Sequence, residues 1–305
     1  MRYVVTGAAG FIGSQLARTL QESGHDVVGV DCFTDYYDPA EKEENARGLE
    51  MLRIDLADEH LDLDGVDGVF HLAAQAGVRS FGDVFPVYVR RNLLATQRVL
   101  ESCASAGVRV VIASSSSVYG EAESYPTRED SEPRPISPYG ITKLGCEHLA
   151  RAYAVAFGLD AVVLRYFTVY GPRQRPDMFF RRVCDALLAG ETFEIYGSGG
   201  QSRSFTYVGD AVAATTLAMQ AAEPGAVLNV GGGEEATMLE AIALLGRLAG
   251  RELDVRHVGG AKGDVPRTSA DVSRIGAMLG WRPETSLEDG LARMWSWAVA
   301  RVAAP

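Results

Sequence analysis

Near the start of the chain, Gly7-Ala8-Ala9-Gly10-Phe11-Ile12-Gly13 constrains the fold more than any other stretch. It follows a short apolar run, Arg2-Tyr3-Val4-Val5-Thr6, that reads as a buried strand, and it precedes a helical stretch from Ser14 to Ser23. Glycines belong in such a turn because they permit unusual backbone angles, let the main chain approach a pyrophosphate and let the helix pack on the strand. The first N–H groups of the helix then face the phosphates. The spacing is G-x-x-G-x-x-G rather than the commoner G-x-G-x-x-G, and alone it is also compatible with a plain tight turn. The next strand, Asp26 to Val30, ends at Asp31, roughly 20 residues on. A carboxylate there can bond both hydroxyls of an adenosine ribose and would repel a 2′-phosphate, which selects NAD over NADP. The plain alternative is a surface Asp at a strand end.

A second constellation lies between Ser115 and Lys143. A strand over Val108–Ile112 delivers Ser114-Ser115-Ser116-Ser117 to the carboxyl end of the sheet, although serine runs more often mark loops. After a Pro-rich loop, Tyr139-Gly140-Ile141-Thr142-Lys143 opens a helix that runs to about Phe157. Tyr139 and Lys143 are one turn apart and share a face. A free phenol, with a pKa of about 10, is a poor base at neutral pH, and a nearby cation favours the phenolate. With Ser115 to share the proton, Tyr139 can take a proton from a substrate alcohol. A Tyr/Lys pair at this spacing is common in helices. What gives it meaning is the order: glycines first, hydroxyls at a strand end second, Tyr and Lys third.

Between these landmarks, Leu49–Ile54 reads as strand three, and Asp55 after it can bond an adenine or cap a helix. Strand four, Val66–Leu72, runs into His71-Leu72-Ala73-Ala74-Gln75, whose small residues would let the backbone pass under a cofactor. His71 reads as a packed structural histidine. Asn92 opens a helix through Cys103 and is either a buried tie between loops or an active-site residue. The polar, aromatic stretch Cys32–Asn45 reads as an excursion at the ligand-binding edge of the sheet. Strand six is Ala161–Arg165. From about Gly171 the βαβ pattern breaks, and a second lobe begins with a helix over Phe179–Ala189 and a strand over Phe193–Tyr196. Arg203 to Val208 looks extended, Asp210–Ala222 helical, and Leu228-Asn229-Val230 returns to the main sheet. A loop, Gly263-Asp264-Val265-Pro266-Arg267, can carry Arg267 to a phosphate. The last amphipathic helix, Leu287 to about Val302, carries Trp295 and Trp297 as packing residues. The domains expected are a cofactor domain over 1–170, with a return near 203–232, and a substrate lobe over 171–305.

At 305 residues with 47% hydrophobic content, the chain can bury a large core. A net charge of −11 argues against a nucleic-acid binder. The four cysteines have neither metal-ligand nor redox spacing, and with no membrane-length apolar run the expected setting is a reducing cytoplasm, without a metal or a membrane.

These motifs, in this order and over nearly the whole chain, resemble the extended short-chain dehydrogenase/reductase family, in its branch of sugar-nucleotide epimerases and dehydratases. The resemblance implies an α/β fold: a Rossmann-type doubly wound parallel sheet with a smaller C-terminal α/β substrate lobe. It implies Tyr139 as acid/base, Lys143 on the nicotinamide ribose and Ser115 sharing the proton. NAD would then lie against Gly7, Gly10, Phe11, Ile12, Gly13 and Asp31, with Asp55, Leu56, Leu72, Ala73 and Ala74 completing the cofactor side. A nucleotide-diphosphate sugar would bind with Arg203 and Arg267 on the diphosphate. A homodimer built on the Asn92 and Tyr139 helices is also implied.

Within the branch, sugar 4,6-dehydratases carry Asp-Glu directly after the catalytic hydroxyl residue, and UDP-glucuronate decarboxylases a Glu two places after it. Here those positions are Ser116 and Ser117, which leaves 4-epimerisation. Three stretches are most similar to UDP-glucuronic acid 4-epimerases: Asp35-Tyr36-Tyr37-Asp38-Pro39, His71 through Arg79, and Phe167-Thr168-Val169-Tyr170-Gly171-Pro172 with Arg175-Pro176-Asp177-Met178. UDP-glucose/galactose 4-epimerases usually have Asn where Thr168 stands. Ser80 to Tyr88 departs from the glucuronate pattern. A sugar carboxylate is expected to meet Arg175, Thr168, Ser116 and Ser117. The alternatives are a UDP-glucose/galactose 4-epimerase, a UDP-glucuronate decarboxylase, and an NAD-sensing or scaffold protein on the same fold.

Overall fold

The computed structural model describes residues 1–78, 80–260 and 265–303. Arg79 of the His71 stretch, and Gly263 and Asp264 of the loop before Arg267, lie outside the described residues. In chain order the first half comprises β1 (Arg2–Thr6), α1 (Phe11–Glu22), β2 (Asp26–Val30), α2 (Pro39–Ala46), β3 (Glu50–Leu52) and β4 (Gly68–His71). Then come α3 (Phe85–Tyr88), a π-helical stretch (Val89–Leu94), α4 (Ala95–Ala106), β5 (Arg109–Ser115), α5 (Pro138–Phe157) and β6 (Ala161–Tyr166). The second half holds β7 (Val169–Tyr170), α6 (Phe179–Ala189), β8 (Phe193–Tyr196), β9 (Ser202–Ser204), β10 (Thr206–Tyr207), α7 (Val208–Ala221) and β11 (Val227–Val230). It ends with β12 (Glu235–Thr237), α8 (Met238–Ala249), β13 (Val255–Val258), β14 (Arg267–Thr268), α9 (Ser273–Leu279) and α10 (Leu287–Ala303).

Seven strands form one sheet in the order β11-β6-β5-β4-β1-β2-β3, and every neighbouring pair is parallel. Parallel strands are buried on both faces, so their sequences read as continuous apolar runs. Along each strand, alternate residues feed opposite cores. Tyr3, Val5, Phe70, Val111, Val162 and Leu164 join Leu16 and Leu20 of α1 and Val212 of α7. Val4, Val69, Val110, Ile112 and Val163 join Val99, Leu100 and Cys103 of α4 and Ala150 of α5. The order reverses at β1, between β2 and β4, and the crevice beyond the strand ends there is where such sheets hold ligands.

The second lobe is built from small sheets, β12-β9-β14, β13-β8 and β10-β7. Helix α10 packs against α8, α6 and β10 with one buried stripe of Leu287, Leu291, Met294 and Ala298.

Two differences from the sequence reading bear on the cleft. The helix expected to begin at Asn92 begins at Phe85, with Pro86 in its first turn, and its π-helical stretch carries Asn92 in mid-helix. The extra backbone residue turns the Asn92 amide inward. It accepts from Gln75 N at 2.7 Å and donates to Gln75 O at 3.2 Å and Thr142 Oγ1 at 2.9 Å, so it ties β4's exit to α5. The excursion after β2 contains α2, started by Asp38 accepting from Ala40 N at 2.9 Å with Pro39 in the first turn. From α2, Glu41 reaches Arg181 of α6 with two bonds of 3.0 and 2.8 Å, so this segment is latched onto the second lobe.

Candidate active site

One cleft of about 690 Å³ lies beyond the carboxyl ends of β1, β4 and β5 and extends along the second lobe. Its cofactor side starts at Gly7, which has φ +70°, and a Cβ there would stand 2.8 Å from Ala73 N. The Leu72-Ala73-Ala74 backbone is thus stacked directly on the glycine turn. A Cβ on Gly13 would meet Gly7 C at 2.8 Å, so α1 enters the turn as closely as the backbone allows. Gly10 caps α1 without a side-chain bond, and the first turn of α1 holds no carboxylate. The positive end of the helix is left open to an anion. Asp31 accepts from Phe33 N at 2.8 Å and Ala9 N at 3.2 Å at the far end. Burial raises its pKa, against the pull of those N–H groups and Lys42. An anion-ready helix start, a backbone cradle without side chains and a carboxylate at the next strand end fit a dinucleotide with an unsubstituted ribose.

Thr6 Oγ1 accepts from Leu72 N and Ala73 N, both at 3.1 Å, and so has its one proton left for His71 Nδ1 at 2.8 Å. His71 Nε2 therefore carries the ring hydrogen and donates to Thr96 Oγ1 at 3.0 Å. Burial, reinforced by Lys143, brings its pKa down to about 3. It is a neutral structural residue.

Ser115 ends β5. Its Oγ accepts from Ser117 N at 3.2 Å and lies 3.1 Å from Ser117 Oγ, folding the serines into a single 3-10 turn. Ser137 caps α5 by accepting from Gly140 N at 3.1 Å. A Cβ on Gly140 would stand 2.5 Å from Ser117 O, so only glycine lets the start of α5 meet the serine turn this closely. Tyr139 is delivered on that first turn and Lys143 one turn further on, the ammonium 6.0 Å from the phenol ring centre. Lys143 Nζ donates to Ala113 O at 2.7 Å and is only 5% exposed. Tyr139, Lys143, Ser115, Ser116 and Ser117 all line the cleft.

Beneath them Ser114 turns the other way, donating to Glu147 at 2.5 Å, and Glu147 holds Arg165 through bonds of 3.0, 3.2 and 2.7 Å. Arg165 Nη1 donates onward to Tyr119 Oη at 2.8 Å.

On the second-lobe side Thr168, Arg175 and Arg203 line the cleft. Arg203, 8% exposed, donates to Ser202 O and Val265 O, each at 2.7 Å. Arg175 makes a two-bond pair with Asp177 at 3.0 Å each. Phe11, Ile12, Asp55 and Leu56 are also in the lining. Asp55 Oδ1 caps the turn at Ala57 N at 2.9 Å while Oδ2 takes Arg90 at 3.0 Å. Arg267 is the one sequence-chosen site residue absent from the lining. Its guanidinium pairs with Glu235 at 2.7 and 2.8 Å and covers the Tyr125 ring. Residues not chosen from the sequence also face the cleft: Tyr36, Tyr37, Lys42 and Gln201. Lys42 donates to Thr34 O at 2.6 Å and sits over the Tyr37 ring at 4.8 Å. For Tyr36 and Tyr37 the signal was the Asp35–Pro39 stretch, which marked the loop but not the direction of its side chains; Lys42 and Gln201 had none.

Residues 3–231 match the NAD dependent epimerase/dehydratase family. The chain is 41% identical over 308 residues to the "Uncharacterized UDP-glucose epimerase YtcB" of Bacillus subtilis, covering 95% of this chain and 96% of that one. It superposes on UDP-glucuronic acid 4-epimerase from Bacillus cereus, solved with UDP-glucuronic acid and NAD, with a TM-score of 0.94 at 39% identity, over 99% of this chain and 100% of that one. It is also similar to MoeE5, at 44% identity and a TM-score of 0.89 over the full length of both chains; that protein has been solved with UDP-glucuronic acid and with UDP-glucose, each with NAD.

Proposed function

The chain belongs to the NAD-dependent epimerase/dehydratase family, and from that premise we propose that it inverts C4 of a UDP-sugar, converting UDP-glucuronic acid to UDP-galacturonic acid through a transient 4-keto sugar. The observation that carries the reading is one cleft holding the dinucleotide cradle, Ser115, Tyr139 and Lys143, with hydroxyls at Ser116 and Ser117. Positions that would need a carboxylate for dehydration or for the usual decarboxylation carry serine instead. Full-length similarity to a UDP-glucuronic acid 4-epimerase supports the same choice.

NAD, when bound, supplies a reversible hydride acceptor for C4. Gly7, Gly10, Gly13, Phe11 and Ile12 would hold its pyrophosphate side, Asp31 its adenosine ribose, and Leu72, Ala73 and Ala74 would run beneath it, with Asp55 and Leu56 at the adenine end. Tyr139 removes the O4 proton as the ketone forms and restores it afterwards. Lys143, fixed by Ala113 O, orients the nicotinamide ribose beside the phenol. Ser115 shares the proton. Between the two half-reactions the keto sugar turns its other face, while Arg203 keeps hold of the diphosphate; Arg267 can join it only by leaving Glu235.

With glucuronate, the 4-ketone makes C6 the carboxylate of a β-keto acid, which loses CO₂ when the C5–C6 bond aligns with the carbonyl π system. Arg175, with Thr168, Ser116 and Ser117, is suited to hold that carboxylate out of alignment. Arg175→Ala is expected to weaken binding of the carboxylated sugar; unchanged affinity would remove the clamp.

The division into a cofactor domain over 1–170, with its return near 203–232, and a substrate lobe over 171–305 belongs to this reading. So does a cytoplasmic homodimer, supported by exposed Phe85, Val89 and Leu94 beside exposed Ile141, Val155 and Phe157 of α5; a monomer by light scattering would refute the dimer. The direct test is proton NMR of purified protein with UDP-glucuronic acid and no added NAD. Signals of UDP-galacturonic acid growing to an equilibrium mixture are expected. A UDP-xylose signal would instead identify a decarboxylase, and turnover of UDP-glucose alone a glucose/galactose epimerase.

A further inference from the structure

The fork of Arg175 is already engaged. Nε donates to Asp177 Oδ1 and Nη2 to Asp177 Oδ2, both at 3.0 Å, the paired arrangement with which a guanidinium takes a ligand carboxylate. Asp177 Oδ2 also accepts from the Tyr36 hydroxyl at 3.3 Å, and the Tyr36 ring lies 6.0 Å from the guanidinium carbon. Burial, then Asp177, raise the Tyr36 pKa to about 12, which keeps this phenol a donor. The side chains of Arg175 and Asp177 are 21% and 40% exposed, and all three residues line the cleft. Arg175 is also within electrostatic reach of Tyr139. The cation best placed for a sugar carboxylate thus carries a carboxylate of the chain's own.

We propose that Asp177 is an internal stand-in for the substrate carboxylate: it neutralises Arg175 when the bound sugar is neutral, yields the guanidinium when the sugar carries a C6 carboxylate, and so sets the ratio at which the site takes the two. This rests on the epimerase reading. A neutral hexose beside Arg175 alone would leave a half-buried cation without a counter-charge. Beside the Arg175–Asp177 pair it meets no net charge. A carboxylated sugar adds a second anion to one cation, and one carboxylate must give way. Asp177 can do so cheaply because its side chain is partly in water and Tyr36 offers it a hydroxyl to rest on. Asp177 is accordingly a positioning residue, acting on the sugar through Arg175.

The test is calorimetric binding of UDP, UDP-glucose and UDP-glucuronic acid to the NAD-saturated protein. Asp177→Asn keeps the shape and removes the charge. The preference for UDP-glucuronic acid over UDP-glucose is expected to rise about tenfold, the size of one charge-assisted hydrogen bond, with UDP affinity unchanged. In an Arg175→Ala background the same substitution should shift nothing. Tyr36→Phe, which keeps the pair but removes the resting place, should lower the preference for the carboxylated sugar a few-fold, and it carries the test if Asp177→Asn fails to bind UDP. A preference within twofold of wild type in Asp177→Asn, equal losses for both sugars, or an undiminished shift without Arg175 would overturn the proposal. A wild type that binds UDP but neither sugar would instead remove the epimerase premise, and the inference with it.

Discussion

Glu147→Gln changes one charge beneath the catalytic turn and leaves the volume alone. Glu147 and Arg165 are 7% and 6% exposed, so their mutual attraction is barely screened and each has lost most of its hydration. Both carboxylate oxygens are used: Oε1 takes Ser114 Oγ and Arg165 Nε, and Oε2 takes Arg165 Nε and Nη2. Glutamine keeps one acceptor and turns an NH₂ toward a guanidinium that can only donate. Removing one partner of a buried pair destabilises by about 3–5 kcal/mol. Arg165 retains Tyr119 Oη at 2.8 Å and Glu129 O at 3.2 Å, so the lower end, about 3 kcal/mol, applies. Urea unfolding of the cofactor-saturated protein, followed by tryptophan fluorescence, would measure it. Glu147→Gln with Arg165→Met removes both charges and should recover at least half of the loss, because the orphaned cation, not the missing bond, dominates. A single-variant loss under about 1 kcal/mol, or a double variant equal to the sum of its parts, would refute the reasoning.

Three further outcomes are expected. Asp31→Ser should lower NAD affinity by tenfold or more and narrow the gap to NADP, read by cofactor titration of the apoprotein. Tyr139→Phe should reduce kcat by about 10²–10⁴ while UDP-sugar affinity stays within a few-fold, read by coupled assay and calorimetry. His71, held neutral with its pKa near 3, binds a proton only after unfolding across the acid range. Its contribution to stability is therefore complete above about pH 6.5 and is lost as pH falls toward 3, at up to about 1.4 kcal/mol per pH unit. Replacing it with Gln should flatten that part of the stability–pH curve, and an unchanged slope would contradict the buried neutral ring.

The features legible in the sequence were those whose chemistry is local. The glycine turn, Asp31 at a strand end, and Tyr139 and Lys143 one turn apart at the start of a proline-led helix are each written within a few neighbouring residues. What escaped depends on chain segments far apart. Tyr36 meets Asp177 across 141 positions, and Arg267 meets Glu235 across 32, so neither pairing leaves a trace in spacing. The pairing with Glu235 holds Arg267 outside the cleft lining. The helix start at Phe85 was missed because an apolar pattern at 3.6-residue spacing is broken by the π-helical stretch, whose wider turn shifts the phase at Asn92. Small strands such as β7 and β14, each of two residues, lie below the length at which alternation can be read.

Strand β11 gives the molecule a schedule. It comes from residues 227–230 yet closes the edge of the seven-stranded sheet against β6. Until that segment has left the ribosome, β6 offers a row of unpaired peptide groups, with every residue from Ala161 to Tyr166 destined for burial. Asn229, fully buried, then fastens the late strand by donating to Thr127 O and accepting from Tyr119 Oη. The amino-terminal half cannot complete itself ahead of the rest, and a fragment ending near residue 170 would emerge as a sticky, unfinished sheet rather than a transplantable cofactor module.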